Sequence, residues 1–345
     1  MSKSMITTKS CCFYFMFLFQ KGISAFTSTT IIQTHTFSKP LRKSYPIFQS
    51  NEIENQALTF TQVISDVDDT LKSSGGVNVG GIALGGIDVQ YERGDLYPGV
   101  AQFMLELSAH SLLETTNDKT ESASILEQYS PAKIAVLTAR AEEFKAALEL
   151  KASSKLATAF RQAGEVSGYV DWGIGPVLYG SVAEWIIQDR KGLRKFSNFE
   201  RLLQQDPTGQ IMRYIYVGDT GELDQEAGEQ MLRIYPELVQ AVFLHTVSGE
   251  PWDGDEYLPI PPAKLINGRP LIFFRTYVGA AAKATQLGLM SEKGLLRVIK
   301  AAEKTLNEKG VGKGSNKWRD LDRDIADALR TINSPIATDD FLLTK

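Results

Sequence analysis

Phe60-Thr61-Gln62-Val63-Ile64-Ser65-Asp66-Val67-Asp68-Asp69-Thr70 is an apolar run that gives out in acids, and its reading decides the fold. Along a strand successive side chains point to opposite faces, but the first turn past its end lets Asp66 and Asp68 aim at one spot. Two carboxylates in one polar pocket repel, so either one takes up a proton or a divalent cation lies between them. Both outcomes suit phosphoryl transfer: one Asp attacks phosphorus, while the other protonates the leaving oxygen and later activates water. The competing reading is plain turn chemistry, because Asp and Thr also cap whatever follows a strand.

Further blocks downstream weigh against mere turn chemistry. Lys133-Ile134-Ala135-Val136-Leu137 is a second apolar strand, ending in Thr138-Ala139-Arg140. There a hydroxyl and free amides at a helix start suit phosphate oxygens. Lys195 heads an expected helix patterned Phe196, Phe199, Leu202, Leu203. Tyr214-Ile215-Tyr216-Val217 is a third apolar run, and it ends in Gly218-Asp219-Thr220-Gly221-Glu222-Leu223-Asp224.

In this order the blocks resemble the haloacid dehalogenase superfamily of phosphotransferases. Asp66 and Asp68 match its first motif, Thr138 the second, Lys195 the third, and Asp219 with Asp224 the fourth. Ser65 to Lys72, Tyr97-Pro98-Gly99-Val100 and Gly218 to Gly221 look most like the catalytic domain of the actin-patch type of phosphatidate phosphatase. The resemblance runs from Phe60 to His245 and continues weakly from Phe273 to Gly288. It departs at Leu137-Thr138-Ala139-Arg140, where that subfamily usually carries a Ser-Asn-Ser type of turn.

The resemblance implies a Rossmann-like three-layer α/β sandwich with a mainly parallel sheet, a small flap insertion and a helical C-terminal extension. It implies that Asp66 is the nucleophile, Asp68 the general acid/base, and Thr138, Ala139 and Lys195 the holders of the phosphoryl oxygens. A Mg2+ ion is implied, bound by Asp66, the Asp68 carbonyl and Asp219, with Asp224 orienting a metal-bound water. The implied substrate is phosphatidate at a membrane surface, cleaved to diacylglycerol and phosphate. A phosphatase of a water-soluble phosphomonoester is one alternative. A non-catalytic phosphatidate-binding module is the other, and the presence of Asp68 counts against it. A phosphomutase would need a larger cap domain than the sequence shows.

The apolar and charged fractions of the 345 residues are those of an ordinary globular protein. The first fifty residues contain no Asp or Glu, while Lys3, Lys9, Lys21, Lys39, Arg42 and Lys43 are basic. Without those six, 31 basic side chains face 41 acidic ones, a net of −10. Such an acidic body argues against general nucleic-acid binding, which draws its affinity from basic surface. Cys11 to Phe19 is apolar, too short to span a bilayer, and followed by Gly22-Ile23-Ser24-Ala25 as in a signal-peptide cleavage region. Residues 1–25 therefore read as a signal peptide and 26–50 as a transit-like segment. Together they resemble the bipartite presequence of algae with secondary plastids, with plain secretion as the alternative. No transmembrane helix is expected in the mature chain. Both cysteines, Cys11 and Cys12, fall in the signal segment, which excludes disulfides, thiolate metal sites and a cysteine nucleophile from the body.

Strands are expected at 60–66, 134–138, 176–179, 214–218 and 241–244. Between them helices are expected at 99–108, 141–151, 181–189, 195–205 and 224–235. That alternation predicts a parallel sheet covered on both faces, with ligands at the carboxyl ends of the strands. A phosphatase domain is expected over 56–250 and a helical extension packed on the core over 251–345. Ser73 to Asp95 is rich in Gly and sits where the superfamily carries its flap, so a hairpin could close there over substrate. Residues 117–129 read as a surface loop and 251–262 as a Pro-rich crossing, followed by amphipathic helices at 291–307 and 316–332. Lys309 to Ser315 lacks the phosphate-loop spacing G-x-x-x-x-G-K-[ST] and follows a helix, so it reads as a turn.

Overall fold

Short runs of branched and aromatic residues, several of them ended by Gly, Asp, Thr or Ser, build the sheet that positions everything else. The computed structural model describes residues 60–76, 78–79, 82–83, 86–114, 129–141, 153–180, 191–206, 209–221, 223–250 and 258–333. In chain order the elements begin β1 (Phe60–Ser65), β2 (Asn78–Val79), β3 (Ile82–Ala83), α1 (Val100–Glu114), β4 (Ile134–Ala141), α2 (Lys155–Val166) and β5 (Ile174–Gly180). They continue α3 (Lys191–Gln204), β6 (Ile211–Asp219), α4 (Asp224–Ile234), β7 (Val239–His245), β8 (Lys264–Ile266) and β9 (Arg269–Phe274). Three helices follow: α5 (Tyr277–Gln286), α6 (Glu292–Glu308) and α7 (Asn316–Asn333).

Seven strands form one sheet in the order β5-β4-β1-β6-β7-β9-β8. All its pairings are parallel except the β8–β9 hairpin. Because the strands are buried on both faces, alternate residues feed two separate cores. Val63, Val136, Ile215, Val217, Phe243 and Phe274 pack under α1, α2, α5, α6 and α7. Ile64, Leu137, Tyr216, Val242, Leu244 and Phe273 pack under α3 and α4. The protein is thus α/β, with a mostly parallel sheet between helical layers, compatible with a Rossmann-like sandwich.

Each of the five expected strands forms. β9 and α5 were not foreseen, and both have local reasons. β9 opens on Arg269-Pro270, which dilutes its apolar signal. α5 is Tyr-Val-Gly-Ala-Ala-Ala-Lys-Ala-Thr-Gln, in which small residues on several faces erase the helical period. The extension after residue 250, expected as a Pro-rich crossing followed by helices, therefore completes the sheet with β8 and β9; α5 packs on β9, and α6 and α7 pack on α5. α2 also escaped the sequence reading, although Ser154 caps it by accepting from Ala157 N at 3.1 Å.

Other boundaries shift. α1 runs to Glu114, and α3 starts at Lys191, one turn ahead of Lys195. Where a helix was expected from Ala141, β4 instead runs through Ala141 and pairs it with Gly180. The remainder of that helix, the helix at 181–189, most of the loop at 117–129 and both presequence segments lie outside the described residues. β2 and β3 pair as an antiparallel hairpin within the Gly-rich insertion. Lys309 to Ser315 forms the turn between α6 and α7.

Candidate active site

The chain first crosses to the left of β1, into β4 and β5, then returns to its right as β6, so the sheet order reverses between β1 and β6. Ligands in open parallel sheets bind at such a reversal, beyond the carboxyl ends of the strands. Asp66 follows β1 there, and Asp219 ends β6 next to it. The register fixes their relation, with Ser65 opposite Val217 and Asp66 N donating to Val217 O at 3.1 Å.

Two helices bring the remaining charges. Asp224 opens α4 in the first turn, where a carboxylate suits the helix dipole. Its Oδ2 accepts from Asp219 N at 3.1 Å, tying that loop back on itself. A Cβ at Gly218 would stand 2.6 Å from Asp224 Oδ2, so only glycine lets the strand end pass so close. Lys195 reaches in from α3 with its side chain 1% exposed. Its Nζ lies 3.2 Å from Asp66 Oδ1 and is also bonded to Asp224 Oδ1. Asp219 is held by Gly221 N at 2.6 Å on Oδ1 and by the Thr70 hydroxyl at 3.3 Å on Oδ2.

Asp66, Asp219 and Asp224 are all buried, and each offers an oxygen within 4.8 Å of the others. Among the described residues, the three carboxylates gather negative charge in a buried pocket, with the Lys195 ammonium between Asp66 and Asp224. Like charges so confined raise each other's energy unless another cation or a proton joins them. An all-oxygen, all-carboxylate donor set fits a hard divalent ion such as Mg2+ or Ca2+.

The other expected residues stand differently. The Asp68 carboxylate, 13% exposed, is outside this trio and pairs with Lys72 Nζ at 3.5 Å. Thr138 is buried near the end of β4, two positions beyond Val136, the register partner of Ser65. It therefore occupies the strand end neighbouring Asp66. Ala139 lies in the same strand, and its side chain is outside the described residues.

No protein-family model matches this chain, and neither does any curated protein sequence. Among solved structures, a chain from "Structure of Pnkp1/Rnl/Hen1 complex" is 12% identical, with a TM-score of 0.23. The match covers 67% of this chain and 60% of that one, so this protein spans about three-fifths of its length. At that score the likeness carries no argument about fold or function.

Several residues around the cluster were missed by sequence reading. Tyr216, buried on β6, places its phenol among the charges of Asp224, Lys195 and Asp66. Its hydroxyl makes no hydrogen bond of normal geometry, and burial followed by the Asp224 charge pushes its pKa well up. The apolar run Tyr214-Ile215-Tyr216-Val217 marked a strand but not this neighbourhood. Asp69 sits beside the cluster with a positive φ of 57° and a fully buried carboxylate. Its carbonyl lies 2.8 Å from His245 Nδ1, and the Thr70 carbonyl accepts from the Tyr277 hydroxyl at 2.6 Å. The loop after β1 is thereby tied to β7 and to α5.

Proposed function

We propose that this protein is a Mg2+-dependent phosphomonoester hydrolase that works through an aspartyl-phosphate, with a haloacid dehalogenase-like catalytic domain. The observation that carries the reading is the buried trio Asp66, Asp219 and Asp224, with Lys195 inserted between Asp66 and Asp224, at the switch point of a parallel sheet. Asp66 and Asp219 with the Asp68 carbonyl would hold the ion, and Asp224 would orient its water. When bound, the ion supplies positive charge that cancels carboxylate repulsion toward a phosphate and stabilises charge on the transferring group.

The chain's own residues divide the remaining work. Asp66 attacks phosphorus, forming the acyl-phosphate bond as the ester P–O bond breaks. Asp68 delivers a proton to the leaving alkoxide oxygen and then takes one from the water that hydrolyses the acyl phosphate. Lys195 fixes the orientation of the Asp66 carboxylate and offers charge to the phosphoryl oxygens, joined there by the Thr138 hydroxyl and the Ala139 amide. The proposed substrate is phosphatidate, cleaved to diacylglycerol and phosphate. The resemblance of Ser65 to Lys72 and of Gly218 to Gly221 to the phosphatidate phosphatase domain supports that substrate. Among the described residues no helix is long and apolar enough to cross a membrane, so the proposed contact with lipid is at a surface. Import into a plastid is proposed on the composition of residues 1–50 alone.

The test is phosphate release from phosphatidate vesicles, from sugar and nucleotide phosphates and from an aryl phosphate, with and without Mg2+. Asp66→Asn should reduce turnover to background with the fold intact, and Asp68→Asn should cost about 10²–10⁴-fold. Hydrolysis retained by Asp66→Asn would overturn the assignment. Vesicle binding without phosphate release at any Mg2+ concentration would favour the non-catalytic lipid-binding module. Release confined to soluble esters would replace the substrate.

A further inference from the structure

The Gly-rich insertion leaves the catalytic loop after Ser74 and returns at Gly86 to Asp88, and one side chain touches both ends. Asp69 Oδ1 accepts from Ser74 N at 2.8 Å. Asp69 Oδ2 accepts from Ile87 N at 2.5 Å and from Asp88 N at 2.8 Å. Three backbone donors on one buried carboxylate are charge-assisted bonds, short and directional. Asp69 reaches them from left-handed backbone, φ 57°, a conformation that Asp tolerates and branched residues do not.

Glycine on the returning strand completes the fit. Gly86 has φ +147°, and a Cβ there would collide with Asp69 Oδ2 and its carboxyl carbon. From this junction the hairpin β2–β3 rises, while Ile87 is directed against the loop of Asp219. A Cβ on Gly221 would meet Ile87 Cγ1 at 2.8 Å and Asp219 Oδ1 at 3.1 Å. Beyond Ile87, Val89 N donates to Ser248 O at 3.2 Å, and the Ser73 hydroxyl donates to Tyr91 O at 3.0 Å. The return is thereby laid against the chain that follows β7 and the residues that open the excursion.

We propose that the Asp69 carboxylate is a clasp that joins Ser74 to Ile87 and Asp88, the two ends of the Gly-rich excursion, and so holds the returning end against the loop of Asp219. Asp69 is in this role a positioning residue for the reaction, and its catalytic consequence rests on the phosphatase reading above. The mechanism does not use its carboxylate, which faces backbone amides and not the Lys195 cluster. An amide in its place presents one NH2 to at least one N–H donor, whichever way it is turned, so Asp69→Asn opens the junction without changing its size. Gly86→Ala opens it from the other side and leaves Asp69 and every charge in place.

Residue-level amide exchange on the full chain tests this. In the native protein Ser74, Ile87 and Asp88 amides should exchange at least about tenfold more slowly than those at the hairpin tip, as partners of a buried carboxylate. Asp69→Asn and Gly86→Ala should each accelerate exchange across 74–90 by about tenfold or more and leave β1 and β6 unchanged. With an aryl phosphate both should lower kcat by about tenfold while KM stays within about threefold, the pattern of lost positioning. Asp66→Asn should abolish turnover and leave flap exchange at its native rate. Ser74, Ile87 and Asp88 amides exchanging natively as fast as the tip would overturn the clasp. So would variants that loosen the flap yet keep native kcat. Protected amides in a native protein that releases no phosphate from any ester would uphold the clasp and remove the phosphatase reading instead.

Discussion

Two buried polar networks meet at the loop after β1, and they satisfy their charges by different means. In the first, Asp66 and Asp224 share the ammonium of Lys195, with the Asp219 carboxylate beside them. In the second, Asp69 is balanced by three amides, and Asp88 accepts from the Tyr97 hydroxyl at 2.8 Å and from Gln90 N at 3.2 Å. Arg275 in that region donates to Asp320 at 3.1 Å and to the Thr246 carbonyl at 2.8 Å. Burial pushes the carboxyl pKa of Asp69 and of Asp88 up in spite of those donors. Acidic residues alone thus say little about chemistry. The difference is whether backbone amides alone complete them, as around Asp69, or a cation takes part, as Lys195 does beside Asp66 and Asp224 and as the proposed metal ion would.

The largest expected effect breaks the first network alone. Lys195→Met keeps the length of the side chain and removes the ammonium that bridges the buried Asp66 and Asp224. Removing one partner of a buried ionic group typically costs about 3–5 kcal/mol, read as a lowered urea midpoint at unchanged slope. Millimolar Mg2+ should restore part of that loss. A Lys195→Met protein as stable as the native one, with or without metal, would erase the contrast between the networks.

Metal sharpens the contrast from the other direction. An ion that binds only the folded state at a hundredfold excess over its Kd stabilises by about 2.7 kcal/mol, so Mg2+ should raise the native Tm. Asp219→Asn should abolish this response. Tyr97→Phe should leave it intact, because that hydroxyl serves only the second network. Its own cost, an Asp88 oxygen left without its donor, is about 1–3 kcal/mol in the absence of metal. An equal Mg2+ response in Asp219→Asn and native protein would relocate the ion.

The same division explains what the sequence disclosed. Strand ends at Asp66, Thr138 and Asp219 were legible because branched apolar runs stop abruptly at turn residues, and alternation βαβα places those ends together. The companionship of Lys195 with Asp224 was not legible by spacing, since 28 intervening residues conceal a helix–strand–helix path that only folding closes. Asp69 was silent for a different reason. Its partners are the N–H groups of Ser74, Ile87 and Asp88, and backbone amides have no residue signature. α5 was hidden by alanines, although its Tyr277 hydroxyl steadies the Thr70 carbonyl from the far end of the chain.

The smallest effect is a slope, and it tests whether the second network and the C-terminal helices act independently on acid stability. His245 faces carbonyls with both ring nitrogens, Asp69 O at 2.8 Å and Arg275 O at 3.1 Å, an arrangement that favours the doubly protonated ring. Burial and the Arg275 guanidinium outweigh it and hold the pKa at about 3. The unfolded chain therefore takes up that proton first, and His245 costs stability as pH falls from 6.5 toward 3. Asp324 on α7 has the opposite sign. Burial, with Asp320 and Asp327 on its own helix adding to it, raises its pKa to about 6 against the Thr276 hydroxyl bond and the Arg323 charge. Across α5, Lys283 shares this acidic surface, its own pKa lowered by burial against Asp324 and Asp327. The folded state keeps a proton on Asp324 that the unfolded chain loses above about pH 4, so this group costs stability as pH rises from 4 to 6. Between those limits the two slopes oppose, each at most about 1.4 kcal/mol per pH unit. Asp324→Asn removes one of them. Its Tm should fall more steeply than the native Tm on titration from pH 6 to 4, while the Mg2+ response at pH 7 stays native. Superimposable Tm profiles for the two proteins would mean that Asp324 is ionised normally and that α7 does not contribute to the acid limb.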